Sequence, residues 1–300
     1  MIKRSVILIF AALVFLAIAT GCGNNQNEDI SGDSAVSVVS QATSGEDSSG
    51  MSEVSNDENS STQTSTTSQD KSSSGSSSSN GTSTSRPNSA ISSNADFSSL
   101  NDAVFIGDSV TLKLRNYVTY KRKSNSSFFG SARFLSAGSL GSGNALWQVS
   151  SKSVHPSYQG QKMLIEDAVK KMGAKKVYIM LGTNDIGAYG VDKSVSNMSE
   201  LIDRIKANSP GVTIVVQSAT PMVEKAQRKV LNNSNLEKYN AKLKNLCSKK
   251  GYKYLDVASV MKDSKGNLIS EYCSDPDGLG IHFTDEACRV WINYILKNKI

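Results

Sequence analysis

The 300-residue chain contains two histidines, His155 and His282, so chemistry that needs an imidazole base near neutral pH has two places to occur. His155 lies in Ser-Val-His-Pro-Ser, with no strand expected behind it. His282 lies in Asp275-Pro-Asp-Gly-Leu-Gly-Ile-His-Phe-Thr284. Two acids and two glycines there suit a loop built for close approach, and Thr284 with Glu286 close behind suits a capped helix start. In Phe105-Ile-Gly-Asp-Ser-Val110, Ser109 stands where a strand gives way to a helix, so its own N–H points from a helix N-terminus toward a developing oxyanion. Asn184 in Leu181-Gly-Thr-Asn-Asp185 can donate to the same oxygen, and Gly138 offers a backbone N–H with no side chain in the way. A hydroxyl, an imidazole and converging donors are the parts of acyl transfer through a serine ester. Ser139 is a rival nucleophile, because Ala137-Gly-Ser-Leu-Gly141 fits a relaxed small-x-Ser-x-Gly elbow after a strand.

The elements that must hold these residues alternate. Short β-rich runs are expected at 103–106, 132–136, 176–181, 213–218 and 252–257. Helices are expected at 111–120, 143–149, 161–172, 193–207, 235–249 and 285–297. Strand and helix in alternation imply right-handed βαβ units and a parallel sheet covered on both faces. The nearly continuous apolar runs Val177-Tyr-Ile-Met-Leu181 and Ile214-Val-Val216 suit strands buried on both sides. In such sheets ligands bind outside the carboxyl ends of the strands, where Ser109, Gly138 and Asn184 all fall.

These blocks, in this order over about residues 100–298, resemble the SGNH or GDSL hydrolase family of serine esterases, lipases and acyltransferases. The resemblance implies a three-layer α/β/α, flavodoxin-like fold with a five-stranded parallel sheet. It also implies that Ser109 is the nucleophile, that His282 is the base, and that the Ser109 and Gly138 amides and the Asn184 side chain form the oxyanion hole. Family members place the triad acid three residues before the histidine, a position held here by Leu279. Asp277 lies five residues before His282 and Asp275 seven. Asp277 is the expected acid, brought to the imidazole by a bulge at Gly278 and Gly280; the alternative is a Ser–His dyad oriented by a backbone carbonyl. Asp108 and Asp185 are expected to brace loops, and the segment 222–234 to lie beside the site as a mobile loop.

Composition divides the chain further. Residues 1–21 have Lys3 and Arg4, an apolar run and small residues, as in an export signal. With Cys22 they resemble a bacterial lipoprotein signal whose cysteine carries lipid. Residues 23–95 contain 25 Ser and 7 Thr and no Phe, Trp or Tyr, too little apolar surface to offset ordering entropy. The expected layout is therefore a signal (1–21), a disordered linker with its anchor (22–95) and a hydrolase domain (96–300).

The linker carries a net charge of −7 and the remainder +11. Its bases are not interleaved with aromatics, which disfavours nucleic acid as a partner. Cys247, Cys273 and Cys288 are expected to be buried thiols, a Cys273–Cys288 bridge being the alternative, and no Cys-x-x-Cys or His-x-x-x-His spacing suggests a metal site. The expected protein is an extracytoplasmic, lipid-anchored serine esterase without metal or cofactor, acting on small acyl esters, O-acetylated envelope polysaccharides foremost. An O-acyltransferase, a lipase-like esterase and a non-catalytic envelope-binding protein are the alternatives.

Overall fold

The computed structural model describes residues 90–300. The signal segment, Cys22 and the linker up to residue 89 lie outside the described residues. Ile91 packs against the core, and the Asn293 side chain donates to Ala90 O at 3.2 Å. Packing thus begins several residues before the boundary expected at Asp96.

Among the described residues seven strands and six α-helices follow one another. The strands are β1 (Ala103–Gly107), β2 (Arg133–Ser136), β3 (Ser157–Tyr158), β4 (Gln161–Lys162), β5 (Lys176–Met180), β6 (Thr213–Gln217) and β7 (Lys253–Leu255). The helices are α1 (Ser109–Arg122), α2 (Ser142–Ala145), α3 (Ile165–Met172), α4 (Thr183–Asn208), α5 (Asn233–Lys250) and α6 (Asp285–Lys297). The main sheet has the order β2-β1-β5-β6-β7, and every pairing in it is parallel. This is the five-stranded α/β architecture that the alternation implied.

Burial on both faces explains the apolar strands. All five residues of β1 are buried, and Phe105 stacks on its cross-strand partner Tyr178 with ring centres 4.6 Å apart. Two of the largest core residues have their polar atom hydrogen-bonded. Trp291 is fully buried and its indole N–H meets Gln217 Oε1 at 2.8 Å; Tyr239 is fully buried and its hydroxyl donates to Leu181 O at 3.0 Å.

Three elements differ from the expected ones, the first being α2, which ends at Ala145 where a helix to residue 149 was expected. The stretch from Gln161, expected to open a helix, first pairs with Ser157–Tyr158 in an antiparallel hairpin, and the helix begins at Ile165. The hairpin turn is Gln159-Gly160, both residues at positive φ, as a two-residue turn matching strand twist requires. Helix α4 starts ten residues before the expected 193, directly after β5, and absorbs a break at Gly190 (φ 72°).

Candidate active site

The nucleophile position follows from a crowded strand end. A Cβ at Gly107 would lie 2.0 Å from Thr111 Oγ1 and 2.7 Å from Met180 O, so only glycine lets β1 turn into α1 this tightly. Asp108 then caps α1, its carboxylate accepting from Val110 N at 3.0 Å. Ser109 is the first residue of the helix, so its amide has no acceptor within α1.

Ser109 Oγ lies 3.1 Å from His282 Nε2, and His282 Nδ1 lies 2.7 Å from Asp275 Oδ2. The acid beside the imidazole is therefore Asp275, and the expectation of Asp277 is corrected. Asp277 is exposed and paired with Lys225. The physical reason lies in Asp-Pro-Asp-Gly, which has the composition of a β-turn: Asp at the first position, Pro at the second and Gly at the fourth. Gly278 N donates to Asp275 O at 2.9 Å, closing that turn and leaving Asp277 on its outer corner. The chain then folds back over Asp275. Its carboxylate accepts from the amides of Leu279 (3.1 Å), Ile281 (3.2 Å) and His282 (3.0 Å) as well as from the imidazole. Gly280, at φ 66°, permits the reversal, and its carbonyl accepts from Val223 N at 2.9 Å.

Burial pushes the Asp275 carboxyl up, but the bonds from the His282 amide and imidazole outweigh that and hold it below the ordinary range. A carboxylate only accepts hydrogen bonds, so Nδ1 carries the imidazole proton and Nε2 is left to accept from the Ser109 hydroxyl.

The donor side is organised by Asn184 and Asp185 at the start of α4. Asn184 Nδ2 donates to Leu140 O at 3.0 Å and lies 3.5 Å from Asp108 Oδ2. Asp185, fully buried, accepts from Ser142 N and Gly143 N, both at 2.8 Å, and so caps α2 from another element. Together they fasten the turn holding Gly138, which Ala137 N ties to Gly107 O at 3.3 Å. Gly138 is exposed. Burial drives the Asp108 carboxyl up to about 7, with Asp185 adding repulsion and the Val110 amide opposing, and burial likewise raises Asp185. Both acids brace loops.

Other candidates fall elsewhere. Ser139 is exposed and its carbonyl accepts from Asn144 Nδ2, while the imidazole faces Ser109. His155 is buried, with Nε2 3.1 Å from Ala145 O. Cys247, Cys273 and Cys288 are buried free thiols. The segment 222–234 does lie beside the site. It is fastened by Val223 N to Gly280 O and by two bonds between Met222 and Asn233, at 2.7 and 2.9 Å.

Residues 105–290 match the model of the GDSL-like Lipase/Acylhydrolase family. The chain belongs to this family. As a member it is an ester-hydrolysing serine hydrolase, in keeping with the site just described. Similar solved structures include a GDSL-like lipase from Bacteroides thetaiotaomicron VPI-5482, 18% identical with a TM-score of 0.47, the match covering 66% of this chain and 88% of that one. An acetyl xylan esterase is 14% identical with a TM-score of 0.48, over 66% of this chain and 99% of that one. The periplasmic domain of a lipopolysaccharide acetyltransferase from Salmonella ser. Paratyphi A is 17% identical with a TM-score of 0.46, over 66% and 83%. Among curated proteins no sequence matches the chain.

Proposed function

We propose that this hydrolase works through a Ser109–His282–Asp275 triad and removes small acyl groups, O-acetyl foremost, from extracytoplasmic polysaccharides. The observation that carries the triad is the unbroken line of hydrogen bonds from Ser109 Oγ through the imidazole to Asp275. Ser109 Oγ attacks the ester carbonyl carbon while His282 Nε2 takes the hydroxyl proton. The carbonyl oxygen, now an anion, is held by the Ser109 and Gly138 amides and the Asn184 side chain. Collapse breaks the bond to the alcohol oxygen, which leaves with the proton from His282. Water then attacks the acyl-serine with His282 again as base, releasing the acid and restoring Ser109.

Location and surface support the polysaccharide reading. The export-signal composition of residues 1–21, Cys22 as a lipid anchor and the Ser-rich stretch that follows it suit work in the cell envelope. Trp147 and Tyr189 are 56% and 39% exposed, on segments adjoining the oxyanion turn, and offer flat rings to sugar faces. Tyr189 packs over Gly143, where a Cβ would come 2.4 Å from its ring. The His282 side chain is 32% exposed, which gives water access to the imidazole. A chain-length series of p-nitrophenyl esters, with acetate release from O-acetylated glycans, tests the assignment. Preference for acetate and release from glycan are expected; preference for long acyl chains with no release from glycan overturns it.

A further inference from the structure

The positive charge of the folded part is concentrated in one segment. Of the +11 carried by residues 96–300, residues 224–265 hold 11 bases against 4 acids, or +7. They form α5, the edge strand β7 and the flanking loops, so the charge gathers along one side of the sheet. Five of these bases pair with acids: Lys225, Lys242, Lys250, Lys262 and Lys265. Six others, Arg228, Lys229, Lys238, Lys244, Lys249 and Lys253, are exposed and have no acidic partner among the described residues. Like charges gathered on one segment repel one another, and an anionic partner relieves that cost.

The bases follow α5 along two flanks. Lys238 and Lys249 stand at i and i+11, so they share one face of α5 over about 16 Å, with Lys242, paired to Asp192, between them. On the other flank of α5, roughly a third of a turn or more from that face, Lys244 forms with Tyr254 and Asp256 a common wall between two open hollows of about 250 and 440 Å³, the second also lined by Lys253. The basic segment begins against the catalytic loop, where Val223 N bonds Gly280 O and Lys225 pairs with Asp277; Arg228 and Lys229 follow at once. Cations on the loop beside the catalytic loop, on both flanks of α5 and on β7 suit an extended chain carrying repeated negative charges.

We propose that this face is a docking track for a polyanionic polymer, and that the ester-bearing substrate is such a polymer, held along α5 while one of its acyl groups reaches Ser109. The substrate half rests on the polysaccharide reading of the active site; the binding half does not. The test compares the full chain with a variant in which all six unpaired bases are replaced by Gln. None of the six belongs to the catalytic machinery, so p-nitrophenyl acetate turnover is expected to be unchanged, which also reports correct folding.

Binding of unacetylated polygalacturonate and of long-chain inorganic polyphosphate separates carboxylate from phosphate as the recognised group. At least one should bind, weaken steeply with salt through counterion release, and bind about tenfold or more weakly to the variant. Acetate release from O-acetylated polygalacturonate should show a KM raised about tenfold in the variant with kcat preserved. Equal polyanion binding by both proteins overturns the track, as does binding only to phosphatidylglycerol vesicles, which would mark a membrane surface. Retained p-nitrophenyl acetate turnover with no release from any acetylated polymer overturns the substrate half while polyanion binding still reads the track.

Discussion

Ser109 and Asn184 stand at junctions where a parallel strand runs straight into a helix, whereas His282 and Asp275 stand in a loop without regular structure. In the first half the backbone of the sheet sets the geometry, and a single residue such as Gly107 decides whether the turn can be made. In the second half a side chain does that work: the Asp275 carboxylate gathers three amides and the imidazole, and the loop is shaped around it. Regular elements fix position through many weak constraints. The loop depends on one acceptor, so the two halves should fail differently when damaged.

The largest expected effect is at the nucleophile. Ser109→Ala should lower kcat by about 10⁶, the scale seen when a catalytic serine is removed, and abolish fluorophosphonate labelling. Ser139→Ala should leave both intact. On the strand-end half, Asn184→Ala should cost about 10² to 10³ in kcat, as for one oxyanion donor, with less change in KM.

Two glycines contrast the halves in stability. Gly280 sits at φ 66°, where an added Cβ would meet Ala226 Cβ at 2.4 Å, so Gly280→Ala should lower Tm by about 5 °C in a thermal melt. Gly138 has nothing within 4 Å of such a Cβ, so Gly138→Ala should leave Tm unchanged. Equal Tm losses would erase the contrast.

The smallest effect is a pH dependence. Asp108 titrates near 7 when folded, above the ordinary 3.8, so the folded state holds its proton more tightly. Its contribution to stability is complete below about 4 and is lost as pH rises through 7. Asp108→Asn keeps a cap for α1 and should flatten the fall in Tm between pH 5 and pH 8. An unchanged slope would show that other groups carry it.

The same contrast explains what could be read from the sequence. All five strands of the main sheet are legible because two-sided burial demands apolar runs, and Ser109, Gly138 and Asn184 are legible because strand ends in a parallel sheet converge. Helix α4 looked shorter than it is because Gly187 and Gly190 interrupt its pattern, although the helix carries the break. The two-residue strands β3 and β4 have too few residues to show a period. Asp277 is nearer to His282 in sequence, whereas Asp275 is nearer in space. The Asp-Pro-Asp-Gly turn was the available signal, since it turns its third residue outward and folds the chain back on its first. With Asp275 in place, the apparent lack of an acid no longer favours a non-catalytic binding protein.

The most direct test is to measure kcat/KM for p-nitrophenyl acetate in Asp275→Asn and Asp277→Asn side by side. A lost triad acid costs about 10⁴, so Asp275→Asn should fall by that order, while Asp277→Asn, which loses only an exposed pair with Lys225, should stay within about twofold of the parent. A collapse in Asp277→Asn with Asp275→Asn near parent activity would contradict the account.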